Sequence, residues 1–331
     1  MRITKPSYFD TFRCIAGSCP ASCCKEWDVQ VDGEKAACYR ALPGQLGDDL
    51  RRVLKDEDSE TVMTIVNGRC PMWRADGLCR IQAELGEAAL CKTCREFPRL
   101  THDYGDFAEL GLELSCPEAA RIILSTPAPD YITSVIPGGE EPEYDAEAME
   151  VLLRNREVIR NILSDCSRPA NEVLALALMY GYQAQNELDG APEEPFDTDA
   201  ALEEARQFAS PADPQEMVDF YQNLEILTDS WATRLAAPAP ADWEPRHLLV
   251  ARYFVDRYWL QAVADYDLVS RVKLTVVSCL MIHALGGDLV QTAQAYSKEI
   301  ENDIDNIDAI LDGGYESPAF TDDKLLGLLL L

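Results

Sequence analysis

The order of apolar and polar positions divides the chain in two. From Ala146 onward apolar residues recur at helical spacing. Positions 149, 152, 153, 159, 162 and 163 share one face of a helix over 146–163. Residues 171–185 are apolar on most sides, which predicts a buried helix. A helix over 199–208 follows a polar loop. Asp213-Pro214-Gln215-Glu216 has the form of a helix start, with Asp as N-cap, Pro at the first helical position and Glu at the third. AAPAPA at 236–241 interrupts the pattern. Residues 247–264 and 267–285 read as two core helices, the second stopped by Gly286-Gly287. One long polar helix is expected over 288–311. The tail KLLGLLLL, 324–331, reads as docked on the body, with a membrane-surface role as the alternative.

The first 126 residues lack such a period. Residues 27–32 alternate apolar and polar and predict a short strand, and 61–66 is β-branched and strand-like. Short helices are expected over 34–42, 46–54, 81–90 and 118–124, with Pro117 at the start of the last. Residues 127–145, rich in Pro, Gly and Glu, read as a polar connection. The expected architecture is mainly α: an irregular cysteine-rich module with short strands over 1–126, a linker over 127–145, and an acidic all-helical domain over 146–331.

Charge sharpens the division. The net charge of −29 splits into −4 for residues 1–125 and −25 for the rest. So acidic a body disfavours nucleic acid, which is held by Lys and Arg on phosphates, and suits a lysine-presenting partner or simple solvation. The N-terminal residues lack an apolar signal-peptide core, and the longest nearly apolar run, 274–285, is too short to span a bilayer. A cytoplasmic protein with reduced thiols is expected.

Twelve cysteines then become the main chemical signal. Nine fall in four blocks: Cys14, Cys19, Cys23 and Cys24; Cys70 and Cys79; Cys91 and Cys94; and Cys116. Cys38, Cys166 and Cys279 stand apart and read as small buried hydrophobes. Cys91-x2-Cys94 has the spacing from which tetrahedral sulfur sites are built. Cys70 and Cys79 resemble a second knuckle around Gly77. Nine thiols exceed the four ligands of one zinc or [4Fe–4S] centre, so two centres, or one with spare thiols, both fit. Ligand type alone does not separate zinc from iron–sulfur. Arg13, Lys25, Arg69, Arg80, Lys92, Arg95, Arg99 and Arg121 flank the blocks and are expected to lower thiol pKa values. Trp27, Trp73 and Phe97 are expected to shield the site from water. The triplet C-x3-C-x2-C of radical enzymes is absent, because Cys24 comes two positions too early.

The blocks SCCKEWDVQVD, CPMW, GLCRI, LGEAALCKTCREFPR and LELSCPEAAR resemble the flagellin lysine-N-methylase family in order and spacing, over about residues 8–125. Those at Cys19–Cys24, Cys70, Cys79 and Cys91–Arg99 also resemble zinc- or iron-chelating cysteine-cluster domains. The first resemblance implies a cytoplasmic enzyme that transfers a methyl group from S-adenosylmethionine to lysine ε-amines of a flagellin-like protein, with a [4Fe–4S] cluster on some of the nine cysteines. Gly-Gly pairs at 138–139, 286–287 and 313–314 do not follow strands, so a Rossmann-type cofactor turn is not expected. S-adenosylmethionine would have to bind another way, for example through its amino and carboxylate groups on iron. The competing classes are a non-catalytic zinc- or iron-binding interaction protein and a redox or electron-transfer protein.

Other polar residues have plainer readings. His102 reads as a surface residue, with a ligand or proton-shuttle role as the alternative, and His247 and His283 read as structural. Asp103, Glu109 and Glu113 could steer a substrate lysine, against a default of solvation. The stretch Arg252, Tyr253, Arg257, Tyr258 and Trp259 is expected to pack on the cysteine module.

Overall fold

The computed structural model describes residues 1–25, 29–57, 60–127 and 129–331. A region of short strands, short helices and many cysteines is followed by a long all-helical region, as the sequence pattern predicts. Strand β1 is Arg2–Pro6, and β2 is Val29–Val31. Asp32 accepts the Lys35 backbone N–H and caps α1 (Gly33–Ala41). Helix α2 (Gly44–Val53) runs into β3 (Leu54–Glu57), and β4 (Glu60–Met63) pairs antiparallel with both β3 and β2. The helix expected over 81–90 is instead α3 (Arg80–Leu85) and a 3-10 turn (Glu87–Ala89), parted at Gly86, where φ is +85°. Next come α4 (Lys92–Glu96), the hairpin strands β5 (Arg99–Asp103) and β6 (Phe107–Leu112), and α5 (Pro117–Ile123).

The stretch read as a connection carries a strand, β7 (Tyr131–Val135). It pairs antiparallel with β1, Thr4 opposite Thr133, while β1 runs parallel to β6, Ile3 opposite Ala108. The order β5-β6-β1-β7 thus gives both sides of β1 a hydrogen-bonding partner. The strands β2, β4 and β3 form a separate three-stranded sheet.

The helical region comprises α6 (Ala146–Ile162), α7 (Ala170–Leu188), α8 (Thr198–Phe208), α9 (Pro214–Gln222), α10 (Asp229–Ala236), α11 (His247–Tyr258), α12 (Leu268–Leu285), α13 (Leu289–Ile300), α14 (Ile304–Glu316) and α15 (Asp322–Leu330). Asp145, Asp197, Asp213, Asp267, Asp288 and Asp303 each accept a first-turn N–H, which sets where these helices start. The cap at Asp303 divides the single helix expected over 288–311 into α13 and α14. By length and composition α12 could cross a membrane, yet 89% of it is buried inside the fold. The tail docks as α15, burying Leu325, Leu326 and Leu329.

Two apolar cores result. The larger joins the helices to Phe9, Phe12, Phe107, Leu112, Leu114 and Cys116. The smaller gathers Val31, Tyr39, Leu50, Met63, Met72 and Ile81 with Cys70 and Cys91.

The histidine pair is structural. Trp243 stacks on His283 at 4.0 Å, and His247 lies edge-on to both. Burial lowers both imidazole pKa values, that of His283 to about 4. A folded pKa below the unfolded value of about 6.5 gives stability that is full above pH 6.5 and lost as pH falls toward 4. Unfolding free energy is therefore expected to fall by roughly 2 kcal/mol between pH 7 and pH 5 through His283 alone. Denaturant titrations at the two pH values should show that slope reduced in His283→Gln. An equal slope in the variant would refute this assignment.

Candidate functional site

Residues from all four cysteine blocks, brought in by different elements, line one cavity of about 330 Å³. All nine cysteines singled out from the sequence are on its wall: Cys14, Cys19, Cys23, Cys24, Cys70, Cys79, Cys91, Cys94 and Cys116. The cavity lies where the two cores meet, with Phe12 of the larger and Tyr39, Met63, Met72 and Ile81 of the smaller on its lining. Cys19 ends a 3-10 turn, and the Cys70 N–H donates to the Cys24 carbonyl at 2.8 Å, tying the first block to the second. Cys79, Cys91 and Cys116 are the N-cap residues of α3, α4 and α5. A cysteine there leaves the helix at its first turn and can turn its sulfur into the cavity.

The electrostatics work against ionising these thiols together. Burial pushes the Cys70 thiol up to about 12 and that of Cys116 up to about 11, and it raises Cys19 and Cys79 as well. First-turn N–H groups oppose this at Cys79 and Cys116. Neighbouring thiols add to the rise: Cys24, Cys79 and Cys91 act on Cys70, whereas Cys14 and Cys19 act on Cys116. Within Cys23–Cys24 and Cys91–Cys94, a thiol–thiol hydrogen bond lowers Cys24 and Cys91 and raises their partners. Cys24 and Cys91 are thus favoured to ionise first in their pairs.

Half of the flanking cations are engaged elsewhere, which narrows their expected role, although Lys25 still lowers the Cys19 thiol against the effect of burial. Arg80 pairs with Asp49 and Glu84, and Arg121 with Glu118. Lys25 and Arg69 lie over the Trp73 ring at 5.0 and 4.6 Å. Only Arg13, Arg95 and Arg99 of that set line the cavity. Phe97 lines it as expected, Trp73 packs beside it on the smaller core, and Trp27 lies outside the described residues. The Trp73 indole Nε1 is buried without a partner, on a residue bridged to Cys79.

Among the described residues, no three His, Cys, Asp or Glu side chains stand close enough to hold a metal ion as they are placed. Convergence is at the level of a shared cavity. Cys38 and Cys166 are exposed, contrary to expectation, and Cys279 is buried. Asp103, Glu109, Glu113 and His102 are not on the cysteine cavity. His102 is partly buried on β5, where burial lowers its pKa. Glu109 forms a two-point pair with Arg156, and buried Glu113 accepts from Ser115. The aromatic–basic stretch on α11 does meet the N-terminal region: Tyr253 Oη accepts the Leu114 N–H at 3.4 Å. Trp259 turns to α6 instead, donating to the Leu152 carbonyl.

One polar cluster escaped the sequence reading, that of Arg156 and Arg160 with Glu109 and Asp256. A signal was present: both arginines fall on the apolar stripe of α6, between Leu152 and Leu163. Buried arginines on such a stripe must find carboxylate partners.

No family model and no solved structure matches the chain. It is 33% identical over 132 residues, 38% of its own length, to the flagellar biosynthetic protein FliU of Salmonella muenchen, of which it covers 78%. Identity is also 33% over 132 residues to the lysine-N-methylases of Salmonella typhimurium and Salmonella choleraesuis. The aligned part spans about a third of those two relatives, 33% of each. At this identity, and with most of the FliU relative covered, the chain belongs to the family of the flagellar biosynthetic protein FliU.

Proposed function

We propose that this protein methylates lysine ε-amines of a flagellin-type protein, using S-adenosylmethionine and a [4Fe–4S] cluster held by cysteines of the N-terminal cavity. The observation that carries the reading is the meeting of nine cysteines, from four separated blocks, on one cavity wall. Two relatives named lysine-N-methylase support the reaction class.

The donor set fits such a cluster in kind. Thiols that raise one another's pKa are poorly placed as free thiolates, whereas a bound cationic centre reverses that cost. Cys24, Cys70, Cys79 and Cys91 act on one another in the half of the cavity facing the smaller core. The four ligands of the cluster are drawn from those residues and Cys94, the hydrogen-bonded partner of Cys91. When bound, an iron–sulfur cluster supplies one-electron chemistry at a potential set by burial and hydrogen bonding.

The rest of the wall suits a lysine chain. Phe12 and Phe97 exclude water, and Glu87 presents a carboxylate that attracts an ammonium group. A nucleophilic amine must first lose a proton, and a cavity that disfavours charge eases that loss. The net charge of −25 beyond residue 125 favours a substrate that displays lysines. A cytoplasmic setting keeps the thiols reduced.

Protein isolated without oxygen is expected to be brown, with about four irons and four sulfides per chain. It should transfer label from methyl-labelled S-adenosylmethionine to flagellin. Colourless protein with stoichiometric zinc would instead identify a zinc-stapled interaction protein, and iron-loaded protein without label transfer would identify an electron carrier.

A further inference from the structure

Cations ring the cysteine cavity, in a chain whose net charge is −29. Arg13, Arg95 and Arg99 are on its wall. Lys25, Arg69 and Lys92 each stand next in sequence to a wall cysteine, namely Cys24, Cys70 and Cys91. Lys25 and Arg69 meet in a β-bridge and share the Trp73 ring, which leaves their charge uncompensated. Elsewhere in the N-terminal region arginines are neutralised: Arg40, Arg51, Arg52, Arg74, Arg80 and Arg121 sit in ion pairs of 2.6–2.8 Å. Of the six rim cations, only Arg95 has a carboxylate within ion-pair distance among the described residues, Glu96 at 3.7 Å. The acids on the wall are Glu87 and Glu118, and Glu118 is already held by Arg121.

This rim surrounds an opening. Cys14, Cys23 and Cys94 line the cavity and are nevertheless exposed, and Leu78 on the same lining is 40% exposed. Val66, bridged to Arg69, is 53% exposed. Apolar side chains within a charged margin are the composition of a protein-docking patch. A single lysine side chain can pass this margin beside Glu87, whereas a broad lysine-rich face gains nothing from it. The patch therefore suits a second, acidic partner. Nucleic acid or an anionic membrane would extend over the body, whose net charge of −25 beyond residue 125 repels a polyanion. A small folded partner touches the rim alone, because repulsion from charges beyond about 10 Å is screened at about 0.1 M salt. We propose that the rim docks a small acidic electron-carrier protein, which passes one electron to the centre held in the cavity. The carrier loses that electron and the centre gains it, and no bond forms or breaks. The carrier role rests on the iron–sulfur reading above, whereas the acidic face of the partner follows from the rim alone.

The test is calorimetric binding of an oxidised plant-type ferredoxin, a small acidic one-electron carrier, to the full chain isolated without oxygen. The double variant Arg69→Glu/Lys92→Glu is expected to bind at least about tenfold more weakly. Both residues are exposed and off the cavity wall, so the fold should hold. Raising salt from about 0.1 M to about 1 M shortens the screening length to about 3 Å and should weaken wild-type binding similarly. Arg168→Glu/Arg206→Glu, on the helical region, makes the same change in net charge and should bind as wild type does. In rapid mixing, reduced ferredoxin should reduce the iron-loaded rim variant at least about tenfold more slowly than wild type. The methyl viologen radical, a cation, should not be slowed. Absent wild-type binding, equal weakening in both double variants, or preference for a short single-stranded DNA would overturn the docking site and leave the methyl-transfer reading standing. Rim-dependent binding by a chain that takes up no iron would keep the acidic docking surface and overturn the carrier role together with the cluster.

Discussion

Serine in place of Cys91 and Cys94 is expected to cut label transfer to flagellin by at least about a hundredfold and to remove most of the iron. Changes in residues that only support a metal ligand typically cost roughly 10–100-fold, and loss of a sulfur ligand costs more. Serine keeps nearly the size of cysteine, so Cys91, which is 2% exposed, leaves little void in the smaller core. The hydroxyl does not ionise near neutrality and cannot replace a thiolate. Far-UV circular dichroism and the thermal transition of the helical region should therefore be nearly unchanged. Cys38→Ser and Cys166→Ser are the controls, since both thiols are exposed and off the cavity wall. Full transfer by the Cys91/Cys94 double variant, or equal loss in the controls, would remove this cavity from the mechanism.

What could be read from the chain follows from the range of the forces involved. Helix starts were legible because an Asp side chain bonds an N–H two or three residues on, as Asp145, Asp213 and Asp267 do. The same local bond at Asp303 overrules the apolar period running through Ile300 and Ile304, which suggested one helix. The four-stranded sheet was hidden because its central pairing joins Ile3 to Ala108. Alternation is also weak there: β6 buries the consecutive residues Phe107 and Ala108, and β7 leaves Ile132 and Val135 exposed. Nothing local marks 131–135 as the partner of β1.

The cysteines were legible as a set for a different reason. Thiols are scarce and chemically distinctive, so their clustering marks a site before any fold is known. Their meeting on a single wall depends on long-range packing, such as the Cys70–Cys24 backbone bond, that spacing does not encode. Solitary thiols have no such context. Ala36 and Tyr39 define the buried side of α1, and Cys38 falls off that side. Cys166 lies in the turn after α6.

Glu301→Ala is expected to destabilise the protein by about 3–5 kcal/mol, the range for breaking a buried ion pair from one side. Glu301 closes the C-terminal end of α13, where the apolar period breaks, and its side chain is fully buried. Its carboxylate receives the hydroxyls of Tyr253 at 3.0 Å and Tyr258 at 2.9 Å, and pairs with Arg257 Nε at 3.2 Å. Tyr253 in turn accepts the Leu114 N–H, so the carboxylate anchors the chain of bonds from the helical region to the cysteine-bearing one. Alanine would leave the Arg257 guanidinium, 13% exposed, with no carboxylate in that ion pair. The cost should come mostly from that stranded charge. Arg257→Met in the Glu301→Ala background is then expected to recover more than half of the lost stability, because burying no charge costs less than burying one alone. A denaturant-melt cycle of the two single variants and the double variant measures the coupling directly. Additive losses would mean that the pair contributes packing rather than charge compensation, and would move the anchoring role to the tyrosine hydroxyls.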